Sequence, residues 1–245
     1  MNSEHDGDGI LNIALILSGG IGTRMGFDIP KQYIEVNNKP IIGYCIDTIN
    51  RNDFIDKIVI VAEESWHKYI LDYCKNVSKY IGLVKQGKNR QLSIFNGLEF
   101  IKTFADENDL IFIHDAARPM LSNELIDKCI NTAYNNKCDG VLPVLPMKDT
   151  VYFSDDGKRI TKLLDRKCIY AGQAPEVFRL GKYYDANIKL LPDKILSING
   201  SSEAAILAGM NIMMIDGDEN NFKITTQADL DKFKDLMKNE SVGIT

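Results

Sequence analysis

A doubly wound α/β domain with a mostly parallel sheet is what three observations along this chain predict. The runs Ile13–Leu17, Ile58–Ala62 and Leu110–Ile113 are apolar at every position rather than alternating, the pattern of parallel strands buried on both faces. Helical apolar spacing separates them, which is the grammar of β-α-β units. Finally, chemistry-bearing residues follow two of these runs directly: Ser18-Gly19-Gly20 after Ile13–Leu17, His114-Asp115 after Leu110–Ile113. Open sheets of this class bind ligands at those carboxyl ends.

Taken in order, the first strand at residues 13–17 is followed by a glycine-rich loop and by a helix over 40–49. A second strand over 58–62 leads to a helix over 65–74, where Trp66, Ile70 and Tyr73 form a core stripe. Residues 81–84 make a third strand, 93–104 a helix, and 110–113 a fourth strand ending on His114-Asp115. A helix over 124–135 and a strand over 140–144 complete this half. Between residues 147 and 174 the pattern changes. Thr150–Phe153 and Arg159–Leu164 flank Ser154-Asp155-Asp156-Gly157-Lys158, and Asp-Gly between β-prone stretches signals a hairpin. Such a hairpin protrudes as an arm, and its edges call for cover by another subunit. Helices over 181–191 and 202–208, a strand over 212–215, a strand-like Phe222–Thr225 and a helix over 228–237 follow.

At 245 residues and 44% hydrophobic content the chain suits one α/β domain with an insertion. Residues 1–9, polar and acidic, are expected to be a disordered tail, and 10–245 a single domain with its arm at about 147–174. The tail lacks the basic and apolar regions of a signal peptide. No apolar run reaches the roughly 18–20 residues of a membrane span. A net charge of −5 argues against a general nucleic-acid binder. The five cysteines, Cys45, Cys74, Cys129, Cys138 and Cys168, are scattered without metal-ligand spacing, as in a cytoplasmic protein.

The loop Ser18-Gly19-Gly20-Ile21-Gly22-Thr23-Arg24-Met25-Gly26 is built for a polyphosphate: glycines admit close backbone approach, and Arg24 with Lys31 of Pro30-Lys31-Gln32-Tyr33 adds positive charge. It is no P-loop, because no Lys-Ser/Thr follows Gly26, and its glycine spacing misses the dinucleotide fingerprint by one residue. The plainer alternatives are a tight strand-to-helix turn and two solvated cations. In His114-Asp115-Ala116-Ala117-Arg118-Pro119, Asp115 suits a hard cation such as Mg²⁺ shared with substrate phosphates. Its alternative is to cap the next turn and pair with Arg118. His114 is read as a structural hydrogen-bonding residue, since an ionised phosphate nucleophile has no proton to lose.

These blocks, with Gly87-x-x-Arg90-x-x-Ser93-Ile94-x-x-Gly97-Leu98, Asp149-Thr150, Arg166, Gln173-x-Pro175 and Phe222-Lys223-Ile224-Thr225-Thr226, resemble the CTP:polyol-phosphate cytidylyltransferase family. That family includes the enzymes for 2-C-methyl-D-erythritol 4-phosphate and D-ribitol 5-phosphate, and the blocks keep family order from residue 13 to about 237. The resemblance implies a Rossmann-like nucleotidyltransferase fold and a Mg²⁺-dependent reaction of CTP with a polyol phosphate, giving a CDP-polyol and pyrophosphate. It serves isoprenoid or cell-wall and capsule synthesis. By the same resemblance Arg24, Lys31 and Lys223 are catalytic, gripping the triphosphate around the α-phosphorus. Ser18, Gly19, Gly20, Gly22, Gly87, Arg90, Ser93 and Ala116 bind CTP, and Asp115 holds the metal. Arg118, Thr150 and Arg166 bind the polyol phosphate, the latter two across a homodimer interface formed by exchanged arms.

Two departures thin the acidic set. Asn220 stands where erythritol-phosphate enzymes carry an acidic residue, and Ser201-Ser202-Glu203 replaces an acidic T-D-D/E-type segment, leaving Asp216, Asp218 and Glu219 as unaligned candidates. The Ser-Gly-Gly opening leans toward the ribitol-phosphate branch. The competing readings are a uridylyl- or guanylyltransferase acting on a sugar 1-phosphate, and a nucleotide-binding module without turnover.

Overall fold

The computed structural model describes residues 9–20 and 29–242. The tail expected at residues 1–9 therefore lies, except for Gly9, outside the described residues, as do Gly22 and Arg24.

Strand β1 (Asn12–Ser18) is followed by a minute hairpin, β2 (Glu35–Val36) and β3 (Lys39–Pro40), and by helix α1 (Ile41–Arg51). The hairpin turns on Asn37 and Asn38, with φ of 50° and 59°, a left-handed conformation that asparagine tolerates. Then come β4 (Lys57–Ala62), α2 (His67–Cys74), β5 (Tyr80–Lys85), α3 (Arg90–Ile101), β6 (Leu110–Asp115), α4 (Asn123–Asn135) and β7 (Gly140–Pro146). The arm holds β8 (Val151–Phe153) and β9 (Lys162–Leu164), paired antiparallel as their own sheet. The chain returns through β10 (Tyr170–Gly172), β11 (Glu176–Arg179), α5 (Leu180–Ile188), α6 (Ser201–Leu207) and β12 (Ile212–Asp216), and closes with α7 (Gln227–Val242).

The main sheet runs β10-β7-β11-β6-β1-β4-β5, with β12 on the outer side of β7. β1 pairs in parallel with both β4 and β6, whereas β10 and β11 run antiparallel to their neighbours. Ile13 and Leu15 face a core shared with Ile94, Leu98 and Tyr183, on the side of α3 and α5. Ala14 and Ile16 face the other core, with Ile42, Ile46 and Ile126 of α1 and α4. All four strand residues are fully buried, which explains why the first strand reads as a continuous apolar run. A third cluster, Ile41, Ile224, Leu230 and Phe233, fixes α7 against α1.

The chain leaves β1 toward β4 and β5, then crosses back through α3 to β6 on the opposite side of β1. The topological switch point thus lies between β1 and β6, where Leu17 is in register with Asp115. Two expectations need correction. Phe222–Thr225 is not a strand: it is an irregular segment that pins Ile224 N–H to the Ala117 carbonyl at 2.9 Å, so its apolar alternation serves docking on a turn rather than a ladder. The helix expected over 93–104 runs instead from Arg90 to Ile101, because Asn89 caps it by accepting from Leu92 N–H at 2.8 Å.

Gly97 on α3 sits where a Cβ would come within 2.5 Å of Leu15 Cδ1 and 3.2 Å of Val61 Cγ2, both in the closed core. Gly97→Val is expected to destabilise the protein by about 3 kcal/mol through overpacking. Urea unfolding measures this as a lowered midpoint with an unchanged slope.

Candidate active site

At the switch point the ends of β1 and β6 lie side by side, joined by Ala116 N–H donating to the Leu17 carbonyl at 3.0 Å. Ala116 itself is buried, so its contribution here is to tie the two strand ends together. Ser18 and Gly19 continue β1 toward the β5–α3 loop; a Cβ on Gly19 would run into the Gln86 side chain. A Cβ on Gly87 would meet the backbone of Leu92 at 2.7 Å, and Gly87 N–H donates to Ser93 Oγ at 3.0 Å, so that loop closes only with glycine.

Asp115 is the hub. Arg90 donates through Nε and Nη2 to its Oδ1 at 3.3 and 3.0 Å, and Lys223 Nζ donates to Oδ2 at 3.0 Å. Arg118 Nε stands 3.6 Å from Oδ2. The Asp115 side chain is only 11% exposed. Burial alone pushes its carboxyl up, yet Arg90, Lys223 and Arg118 together outweigh burial and hold it well below the usual carboxylate range.

Each cation is fixed by its own segment. Asn89 caps the helix that presents Arg90, and Arg118 Nη1 donates to the Asn221 carbonyl at 2.7 Å. Lys223 is held through its neighbours: Gln173 brackets the Asp218 backbone at 2.9 and 3.0 Å, and Asn221 Nδ2 donates to the Ala174 carbonyl at 2.7 Å. Asp229 accepts from both the backbone and hydroxyl of Thr225 and Thr226, which ends the segment on the start of α7. Lys31 opens a short turn over Lys31–Tyr33 beside the glycine loop.

The sequence reading missed Glu176. β11 inserts antiparallel between β6 and β7 and sets Glu176 opposite Ile113, two residues before Asp115. Its Oε1 accepts from Ser201 Oγ, which in turn accepts from Arg90 Nη1 at 2.7 Å. Arg90 is thereby strung between two carboxylates. Burial pushes the Glu176 carboxyl up, and Arg90 opposes that. Among the described residues, the buried side-chain polar atoms without a hydrogen-bond partner are His114 Nδ1, Arg118 Nε, Glu176 Oε2 and Asn221 Oδ1. All four belong to the segments that converge on Asp115, a concentration that marks a site rather than a packed interior.

The remaining acidic candidates point elsewhere. Asp216 is exposed and 3.6 Å from Lys128, Glu219 pairs with Lys148 at 2.5 Å, and Asp218 accepts from Asn220 N–H at 2.8 Å. Thr150 and Arg166 stay on the exposed arm, where Arg166 Nη1 donates to the Lys148 carbonyl at 2.7 Å.

The model of the 2-C-methyl-D-erythritol 4-phosphate cytidylyltransferase (IspD) family matches residues 12–239. The chain belongs to this family. It is 34% identical over 234 residues to the 2-C-methyl-D-erythritol 4-phosphate cytidylyltransferase of Clostridium beijerinckii, covering 92% of this chain and 98% of the relative. It is 30% identical over 239 residues to a ribitol-5-phosphate cytidylyltransferase of Streptococcus agalactiae, covering 95% and 99%. Its fold matches the 4-diphosphocytidyl-2C-methyl-D-erythritol synthase of Anaerococcus prevotii with a TM-score of 0.80 and 27% identity, over 94% of this chain and 97% of that one. The protein is accordingly a nucleotidyltransferase of the cytidylyl class, and the uridylyl, guanylyl and non-catalytic alternatives give way. Among the described residues, no helix is long and apolar enough to cross a membrane.

In this cytidylyltransferase His114 is fully buried, with Nε2 on the Arg118 carbonyl at 3.0 Å. Burial lowers its pKa to about 4, so the imidazole is neutral and braces the turn that carries Arg118. The unfolded chain takes up the proton first, near the ordinary value of about 6.5. The contribution of neutral His114 is therefore complete above about pH 6.5 and is lost as pH falls toward 4, by up to about 3 kcal/mol. His114→Gln is expected to flatten that part of the stability profile, measured by urea unfolding across the same pH window.

Proposed function

We propose that the chain transfers CMP from CTP to a small polyol phosphate, D-ribitol 5-phosphate or 2-C-methyl-D-erythritol 4-phosphate, releasing pyrophosphate. The observation that carries the reading is the set of three cations gathered on one carboxylate beside a glycine loop at the sheet's switch point. The acceptor's phosphate oxygen attacks the α-phosphorus of CTP as the bond to pyrophosphate breaks. Positioning and neutralisation of charge on the phosphoryl oxygens do most of the work in such a transfer.

Arg24 and Lys31 are assigned to the triphosphate together with the backbone of Ser18, Gly19, Gly20 and Gly22, the roles of Gly22 and Arg24 resting on the sequence alone. Lys223 comes from the opposite side, exchanging the Asp115 carboxylate for an α-phosphate oxygen. Gly87 and Ser93 shape the loop assigned to the cytidine, with Arg90 supporting it from the first turn of α3. Arg118 serves the acceptor phosphate. Charge developing in the transition state meets donors already in place.

For Mg²⁺ the donor set is narrow. Among the described residues no group of three or more His, Cys, Asp or Glu side chains assembles, and both Asp115 oxygens accept from cations. One carboxylate still fits a Mg²⁺ whose other ligands are phosphate oxygens and water, a usual arrangement for this ion. Asp115 is the residue that would hold it, and when bound the ion offsets the charge of the triphosphate.

The arm supports a homodimer. Tyr152, Phe153, Ile160 and Leu163 are between 48% and 66% exposed on this one hairpin, an apolar surface that association would cover. Thr150 and Arg166 are exposed on the same arm and are assigned to the acceptor phosphate in the partner's site.

Pyrophosphate release from CTP, measured against a panel of methylerythritol, ribitol and glycerol phosphates, tests the reading. One polyol phosphate is expected to dominate, and UTP or GTP to be poor donors. Lys31→Ala and Lys223→Met should each lower kcat by about 100-fold or more, as loss of a transition-state donor does. Arg166→Ala should instead raise the acceptor KM with kcat nearly kept. Release with UTP matching that with CTP, or unchanged kcat in Lys31→Ala, would contradict it.

A further inference from the structure

The two residues after Lys31 are buried polar groups with an unusual assignment. Gln32 is 3% exposed, and its Nε2 donates to the Ser18 carbonyl at 2.7 Å and to the Gly20 carbonyl at 2.8 Å. An amide nitrogen has two protons, and both are committed to the entrance of the glycine loop. Tyr33 is 2% exposed; its Oη meets Ser18 Oγ at 2.8 Å and the Ser18 carbonyl at 3.2 Å. Burial pushes the Tyr33 phenol up to about 12, so it remains a hydroxyl at working pH.

Carbonyl oxygens repel a phosphate, whereas backbone N–H groups attract one. Fastening the Ser18 and Gly20 carbonyls to a single amide holds both toward Gln32 and so away from a phosphate that enters beside them. The phenol ring of Tyr33 lies flat on Trp66, with centroids 4.2 Å apart and planes 14° from parallel, and Tyr69 packs edge-on against both. Trp66 is the chain's one tryptophan. Its outer face lines an open cleft with Ser65, Lys68, Tyr69 and Asp72, so its surroundings are partly aqueous.

We infer that Gln32 and Tyr33 are positioning residues that set the carbonyl orientation of Ser18 and Gly20 where β1 ends, and that Tyr33 carries triphosphate occupancy beside Ser18 to Trp66. The inference rests on the reading that this loop receives the triphosphate of CTP. Filling the loop shifts Ser18, Ser18 shifts the phenol through its hydroxyl, and the stacked indole reports the movement.

The test titrates CTP into the full chain, following heat by calorimetry and, in parallel, tryptophan emission excited where tyrosine does not absorb. The wild-type protein should show an emission change that tracks the calorimetric isotherm. Tyr33→Phe keeps the stacked ring and removes the link to Ser18. Its ligand-free emission should match wild type, its CTP-induced change should fall by at least about half, and its KM for CTP should rise about tenfold with the acceptor KM unmoved. Gln32→Glu turns a carboxylate onto two carbonyls and should raise the CTP KM by about 100-fold. If Gln32→Glu fails to fold, the tyrosine variant decides alone. A wild-type CTP-induced emission change or a wild-type CTP KM in Tyr33→Phe would overturn the inference, as would calorimetric CTP binding without any emission change in the wild type. Absence of CTP binding by calorimetry would instead overturn the reading of the loop, and the inference would fall with it.

Discussion

One buried carboxylate organises this end of the sheet. Asp115 is shielded from water and ionised, a state that a low-dielectric site tolerates only when positive partners and hydrogen bonds offset lost solvation. The partners come from three places: the first turn of α3, the turn that follows β6, and the segment before α7. The first is anchored by the Asn89 cap; the other two are tied to each other by the Arg118 bond to Asn221, with Gln173 and Asp229 bracketing Lys223 on either side. The carboxylate thus acts as a template that keeps cations together before any substrate arrives. On the proposed reading, a triphosphate entering the site would meet cations already gathered, with less reorganisation needed during phosphoryl transfer.

The parallel register of β1 and β6 makes that template useful. It sets Leu17 level with Asp115, so the backbone leaving β1 enters the glycine loop next to the cation cluster. The Ser18–Gly20 backbone at the end of β1 and the side-chain cations on Asp115 thus lie side by side. Gln32 and Tyr33 fasten the first, and the Arg90–Ser201–Glu176 chain braces the second.

Much of this was legible in the sequence because two-sided burial leaves a plain mark. The uninterrupted apolar runs of β1, β4 and β6, Asp115 at a strand end and the paired strands flanking Asp156-Gly157 are all readable without coordinates. What escaped depended on contacts between distant segments. Nothing local shows that Glu176–Arg179 slips antiparallel between β6 and β7, and so nothing marked Glu176 as a neighbour of Asp115. Phe222–Thr225 alternates like a strand, yet its one docking bond goes to a turn. Two further features carry local signals: Asn89 is a good helix cap, and Asn37-Asn38 between β-prone residues is a hairpin turn. Arg24 and Gly22, on which the sequence reading also leaned, lie outside the described residues.

The most direct measurement is a double-mutant cycle on kcat/KM for CTP with Asp115→Asn, Lys223→Met and the combined variant, each checked for a folded far-UV spectrum. If Asp115 acts by holding Lys223 in position, the combined loss falls short of the sum of the single losses by about 1–3 kcal/mol. Additivity within about 0.5 kcal/mol would show that the two residues act independently and would contradict a template role for the carboxylate.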